Sequence, residues 1–406
     1  MIRVLIADDS AFMRHVLSDM FGKQPDFEVV WKAKDGQEAV QKTLELKPDL
    51  LTMDVNMPVM DGLQALEAIM QQQPTPVVML SSLTQEGTEQ TIRALSLGAV
   101  DFISKTGGSI SKIDPIQEDL LDKCRTAAKA HVHKPQGQQG KPASKAGPPV
   151  MRRVDMPQRQ GYQAKPLPNV PEKPKVGVNP YGAQRRNTIL EAKAAHGRPP
   201  KPPSESSPVA AGAGGKGAEK LVVVGTSTGG PQALQNVVTR LPGKLPCGVV
   251  VVQHMPAGFT KALAQRLDAI SEVSVKEAED GDVVEPGHVY IAPGNYHLRV
   301  VSSGQSHKLA LGQDPPVGNH RPAVDVMFDS VASLGRRLVA VIMTGMGSDG
   351  CKGMGKIKAS GGYSIAQDEE TCVVYGMPKS VVDAGLADEV KPVQDIAQAI
   401  VEAVKR

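Results

Sequence analysis

The chain has 406 residues, with 40 Gly, 32 Pro and few aromatics (1 Trp, 6 Tyr, 6 Phe), a length that predicts two or three domains at roughly 100–200 residues each. Its net charge of +3 conceals an asymmetry: residues 1–129 carry −6, residues 130–218 carry +11 and residues 219–406 carry −2. No apolar run approaches the ~20 residues of a membrane span, acids Asp8 and Asp9 come too early for a secretory leader, and four cysteines without metal or CxxC spacing read as reduced thiols of a cytoplasmic protein.

Residues 1–125 alternate β-like runs (Arg3–Ala7, Glu28–Ala33, Leu50–Met53, Val77–Leu80, Asp101–Ile103) with amphipathic helical stretches such as Ser10–Phe21 and Gln37–Leu46. This alternation predicts a parallel five-stranded sheet with helices on both faces. In such sheets the chemistry lies beyond the C-terminal strand ends. Those ends carry Asp8-Asp9, Asp54, Ser81-Ser82 and Lys105. Carboxylates converging there would repel without a cation, and a few hard oxygen ligands suit Mg²⁺. A Mg²⁺ and a lysine beside one carboxylate fit a phosphoryl acceptor, because both stabilise charge on the transferring group.

Residues 126–218 are read as a disordered linker. Within residues 130–218 lie 15 of the 32 prolines and only ten Leu, Ile, Val and Phe together, too few to offset the entropy of folding. The basic charge fits a solvated tether. Nucleic-acid binding is not expected, since only Tyr162 and Tyr181 are available for stacking. Asn187–Ala195 has the composition of a short helix.

Residues 219–406 again read as α/β, doubly wound and mostly parallel. The apolar run Leu221–Val224 enters Gly225-Thr226-Ser227-Thr228-Gly229-Gly230, and Pro231 then opens a helix. Strand, G-x-S-x-G and helix together make a nucleophile elbow, which lifts the Ser227 hydroxyl off the sheet edge. A serine hydroxyl needs a base. Gly248–Val252 leads to His254, and Leu338–Met343 leads to Asp349. Ser, His and Asp, each at a strand's C-terminal end, form a candidate triad, although their chain order differs from the three familiar ones. His297 and His320, near Arg299 and Arg321, are weaker cleft candidates. Gly345–Gly350 also fits G-x-G-x-x-G, with Glu369 and Glu370 at dinucleotide spacing. That reading leaves Ser227 and His254 without a role.

On these residues the first block resembles a two-component receiver domain. The resemblance makes Asp54 the phosphoacceptor and assigns Mg²⁺ to Asp8, Asp9, Asp54 and the backbone carbonyl of Asn56. Ser81 becomes the sensing hydroxyl, Lys105 the invariant lysine and Phe102 the switch aromatic. Thr106 departs from the proline common at that position. The third block resembles the catalytic domain of the CheB family of chemotaxis protein-glutamate methylesterases, through Gly225–Gly230, Val251–Pro256, Pro315–Phe328, Met343–Gly350 and Cys372–Pro378. The resemblance places the triad on Ser227, His254 and Asp349 and an oxyanion donor on the Met346 N–H, with no cofactor at the esterase site. It implies demethylation and deamidation of chemoreceptors, a histidine kinase as phosphodonor and inhibition by the unphosphorylated receiver; a cytoplasmic monomer is expected. Two other readings are weighed beside it: a receiver with a dinucleotide-dependent oxidoreductase output, and a non-enzymatic adaptor acting through the basic linker. The receptors, the pathway and the linker's partner are not readable from the sequence.

Overall fold

The computed structural model describes residues 1–82, 84–105, 113–132, 220–303 and 306–406. Most of the expected linker, the short helix expected at 187–195 and Thr106 lie outside these residues.

The first block is built from β1 (Ile2–Ala7), α1 (Ala11–Gly22), β2 (Phe27–Ala33), α2 (Gly36–Leu46), β3 (Leu50–Asp54), α3 (Gly62–Gln72), β4 (Val77–Ser82), α4 (Gln85–Leu97), β5 (Asp101–Lys105) and α5 (Ile113–Ala127). Its sheet runs β2-β1-β3-β4-β5, parallel throughout. Alternation along each strand sorts the core. Val4 and Ile6 face Leu17, Phe21 and Leu121 on one side, while Leu5 and Ala7 face Ala39, Leu66 and Ile92 on the other. Side chains of Ser10, Asp35, Asp61 and Thr84 cap the N-termini of α1 to α4 by accepting backbone N–H bonds. The strand order reverses between β1 and β3, which places Asp8, Asp9 and Asp54 at the switch point.

The second block continues with β6 (Leu221–Thr226), α6 (Gly230–Val238), β7 (Gly248–Gln253), α7 (Phe259–Asp268), β8 (Ser274–Glu277), β9 (His288–Ile291), the hairpin β10 (His297–Ser303) and β11 (Ser306–Gly312), and α8 (Val324–Val331). After these come β12 (Leu338–Ile342), α9 (Cys351–Ala359), β13 (Tyr363–Gln367), α10 (Met377–Asp383), β14 (Glu389–Lys391) and α11 (Val393–Lys405). Seven parallel strands run β14-β13-β12-β6-β7-β9-β8. β6 is buried at every position, as a central parallel strand covered on both faces must be. The chain winds outward from β6 in both directions, so the ends of β6, β7 and β12 meet at a second switch point. The antiparallel β10–β11 hairpin was not anticipated from the sequence and stands apart from this sheet.

The two blocks share one compact unit. α4 packs on α6 and α7, and the Phe102 ring meets Phe259 at 4.3 Å between centroids.

Candidate active site and receiver site

Ser227 leaves the sheet immediately after β6. Its N–H donates to Thr344 O at 3.0 Å, and its carbonyl accepts from Gly230 N at 2.7 Å, closing the turn into α6. Gly229 has φ +76° and no room for a side chain: a Cβ would stand 2.5 Å from Val373 Cβ. The sharp turn therefore requires glycine there. Pro231 sits in the first helical turn.

His254 follows β7, with its N–H donating to Thr226 O at 3.1 Å. Its Nδ1 lies 3.2 Å from Ser227 Oγ and its Nε2 lies 2.8 Å from Asp349 Oδ2. With Asp349 ionised, Nε2 carries the hydrogen and donates to the carboxylate, which leaves the Nδ1 lone pair for the Ser227 hydroxyl. The ring thus uses its nitrogens in the reverse sense to the familiar serine-protease arrangement, in which Nε2 faces the serine.

Asp349 also ends a helix. Its Oδ2 accepts from Val324 N at 2.7 Å and its Oδ1 from Asp325 N at 2.9 Å, at the first turn of α8. Burial pushes its pKa up, but the His254 hydrogen bond and charge and the two backbone donors outweigh that and hold it below the ordinary carboxylate value. The anion that orients His254 is therefore stabilised from two sides.

His320 lies flat on His254, with centroids 3.8 Å apart and planes 11° from parallel. Burial, with a smaller contribution from His254, lowers its pKa to about 4. His297 is buried inside the hairpin with Nε2 3.1 Å from Pro315 O, away from this cluster. Of the two secondary histidines, His320 therefore lines the cleft and His297 does not.

The Met346 N–H makes no hydrogen bond among the described residues, nor does that of Thr228, the residue after the elbow serine. Both are available to an anionic oxygen. Sequence reading named only Met346; the elbow motif itself points to the N–H after the nucleophile. The sequence also gave no sign of Thr344, whose hydroxyl donates to Thr228 O at 2.9 Å and accepts from Val374 N at 3.0 Å, tying both sides of the site together.

A cavity of about 550 Å³ opens over Ser227 and His254, and Asp101, Phe102 and Lys123 of the first block form part of its wall. Thr228 Oγ1 donates to Asp101 Oδ2 at 2.8 Å, and Gly229 N donates to Val100 O at 3.3 Å. On the far side Thr126 Oγ1 lies 2.9 Å from Met346 Sδ, and His131 N donates to Val373 O at 3.1 Å.

In the first block, carboxylate oxygens of Asp8, Asp9 and Asp54 lie within 4.8 Å of one another. Lys105 Nζ is 2.9 Å from Asp8 Oδ2 and 2.8 Å from Asp54 Oδ2. Burial raises the Asp54 pKa, with Asp8 adding to the shift and Lys105 opposing it. Three carboxylates facing one ammonium leave negative charge in excess, and an all-oxygen donor set of this kind fits Mg²⁺. Asn56 follows β3, and its carbonyl accepts no hydrogen bond among the described residues. Arg14, which the sequence did not single out, donates to the carbonyls of Asp8 and Asp9 and fixes that turn. Ser81 Oγ points toward α4, donating to Gly87 O at 3.0 Å, and Phe102 is buried.

Fold and geometry together define a receiver domain joined to an α/β domain whose elbow serine, histidine and aspartate form one hydrogen-bonded chain. Comparison with known proteins agrees. Residues 4–113 match the response regulator receiver domain and residues 222–400 match CheB methylesterase. A relative from Symbiobacterium thermophilum, a protein-glutamate methylesterase/protein-glutamine glutaminase, is 45% identical over 405 residues, 99% of this chain and 97% of the relative. One of the same name from Thermotoga maritima is 44% identical, over 99% of this chain and 98% of its own length. The crystal structure of the Thermotoga maritima CheB methylesterase catalytic domain matches at 50% identity, covering 45% of this chain and 97% of that one, with a TM-score of 0.44. The chain belongs to the CheB family of protein-glutamate methylesterases/protein-glutamine glutaminases and is a hydrolytic enzyme with a receiver domain. The oxidoreductase and adaptor readings fall with that membership. No helix among the described residues is long and apolar enough to cross a membrane.

Proposed function

We propose that the chain demethylates glutamate methyl esters and deamidates glutamines on cytoplasmic segments of chemoreceptors, through Ser227, His254 and Asp349, under control of phosphorylation at Asp54. The observation that carries this is the unbroken Ser227 Oγ–His254–Asp349 hydrogen-bond chain opening on a cavity beside two free backbone N–H groups.

In the first step Ser227 Oγ bonds to the side-chain carbonyl carbon while His254 Nδ1 takes the hydroxyl proton. Asp349 holds the resulting imidazolium. The carbonyl oxygen becomes an oxyanion, accepted by the N–H groups of Thr228 and Met346 beside the N-terminus of α6. Each such donor is typically worth about 3–4 kcal/mol. Collapse breaks the bond to the leaving group, and His254 returns its proton to give methanol from an ester or ammonia from an amide. Water, deprotonated by His254, then attacks the acyl-enzyme, and its collapse frees glutamate and Ser227.

Regulation follows from the same contacts. Asp8, Asp9, Asp54 and the Asn56 carbonyl would hold Mg²⁺, which neutralises charge on a transferring phosphoryl group. Lys105 supplies a second positive charge at Asp54. The donor would be the histidine kinase of the same sensory system. Phosphorylation would draw Ser81 away from Gly87 O and disturb α4 and Phe102, which abut α6, α7 and Phe259. That would loosen the wall over Ser227.

The test is methanol release from methylated receptor, with and without acetyl phosphate and Mg²⁺. Ser227→Ala is expected to release none while Asp54 still takes up phosphate. Methanol release by that variant would overturn the assignment.

A further inference from the structure

Gln253 is the last residue of β7, and its side chain is 2% exposed. Its Nε2 donates both hydrogens to backbone carbonyls, Ser227 O at 3.0 Å and His254 O at 3.1 Å. Those carbonyls belong to the nucleophile and to the base. The β6–β7 ladder has its last residue pair at Thr226 and Gln253, with Ser227 and His254 both beyond it. The Gln253 amide bonds the segments that follow β6 and β7 at the point where they leave the sheet.

The Ser227 carbonyl is one end of the peptide plane whose other end is the Thr228 N–H. A hydrogen bond to that oxygen fixes the direction in which the N–H points, and Gly230 N reinforces it from the helix side. The bond to His254 O fixes the peptide that follows the base. The elbow also makes room for this amide: a Cβ at position 230 would overlap Gln253 Oε1 and crowd Thr226 Oγ1. The glycine that opens α6 thus serves the glutamine as well as the turn.

We infer that Gln253 is a positioning residue for acyl transfer, its amide locking the nucleophile peptide to the base peptide so that the Thr228 N–H and the Ser227–His254 hydrogen bond are aimed together. The inference rests on the triad reading above. Gln253 borders the cavity but spends both amide hydrogens on the backbone carbonyls of Ser227 and His254. It acts through those two residues and Thr228, and displacements near 1 Å in such groups cost about 100-fold in rate.

The experiment compares full-length wild type, Gln253→Met, Gln253→Glu and Ser227→Ala in methanol release from methylated receptor with acetyl phosphate and Mg²⁺. Methionine keeps the length but donates nothing, so kcat is expected to fall about 10- to 100-fold with KM within about twofold. An ionised glutamate faces two carbonyl oxygens and donates nothing, whereas its buried, protonated form donates one O–H, and burial favours that form. The kcat of Gln253→Glu relative to wild type is therefore expected to climb as pH falls from 8 to 6. A flat ratio, a change confined to KM, or wild-type kcat in both variants overturns the inference. Should Gln253→Met not fold, the Gln253→Glu ratio decides alone. Activity in Ser227→Ala would instead defeat the triad reading, whereas an inactive Ser227→Ala beside fully active Gln253 variants defeats this inference only.

Discussion

Two residues beside His254 carry opposite electrostatic roles, and each leads to a measurement. Asp349 holds the imidazole through Oδ2 and caps α8 through both Oδ2 and Oδ1. Asp349→Ala is therefore expected to lower kcat by about 10³- to 10⁴-fold and to cost about 1–2 kcal/mol of stability, as lost helix caps do. Methanol assays and urea unfolding measure the two effects. His320 is held neutral by burial, with a folded pKa of about 4 against an ordinary 6.5. Between those values the unfolded chain binds a proton that the folded chain refuses, so stability falls as pH drops from 6.5 toward 4. His254 and Lys123 oppose protonation and Asp349 favours it. His320→Phe keeps a stacked ring without the titration, so its urea midpoint should fall less steeply over pH 6.5–4.5 than that of wild type. Equal slopes would show that His320 does not set this dependence. Asp349, whose folded pKa is depressed, acts in a lower window: its contribution is complete above its unfolded value near 3.8 and is lost below it as pH falls through the folded value.

At the scale of elements, the start of β5 meets the elbow that precedes α6. Val100 O and Asp101 Oδ2 take hydrogen bonds from Gly229 and Thr228, the residues that follow Ser227. Asp101→Ala removes one of these bonds and the Lys123–Asp101 ion pair, leaving Asp8, Asp54 and Lys105 untouched. Basal methanol release is expected to rise several-fold while phosphate uptake at Asp54 stays unchanged; unchanged basal activity would mean that Asp101 does not hold the elbow shut. The sequence made the strand ends legible, because an apolar run that breaks into Asp, Ser-Gly or His-Met-Pro is a local signal. Asp54, Ser227 and His254 could be placed on strand ends for that reason. It gave no hint of the Thr228–Asp101 bond, which joins residues 127 apart across two separate patterns. Nor did it indicate the β10–β11 hairpin, whose mixed polar and apolar residues alternate against only one covered face. Thr344 and Gln253 escaped notice because buried polar residues look alike in sequence until their partners are placed.

Across the whole molecule, the receiver stands to the esterase as one wall of its cavity. Phe102 and Phe259 are both buried, at 3% and 0% exposure, and their rings meet between the blocks. Docking thus buries apolar surface as well as forming polar bonds at the elbow. A phosphoryl group on Asp54 can change activity only by interacting differently with the docked and undocked arrangements. Removing residues 1–129 removes that wall, and under the proposed regulation it also removes the dependence on phosphate. The truncated enzyme is expected to exceed the basal rate of the full chain and to ignore acetyl phosphate and Mg²⁺. Under the proposed inhibition, the ratio of those two rates measures the docking equilibrium, each tenfold step standing for about 1.4 kcal/mol. In the full chain, chelating Mg²⁺ should abolish stimulation by acetyl phosphate while leaving the basal rate in place, since the proposed acyl transfer moves its protons through His254. Exposure of Phe259 and of the faces of α6 and α7 that α4 covers should lower the fragment's thermal midpoint. Activity and stability are therefore expected to move in opposite directions on truncation. A fragment both slower and less stable than the full chain would show that the receiver supports the site rather than closing it.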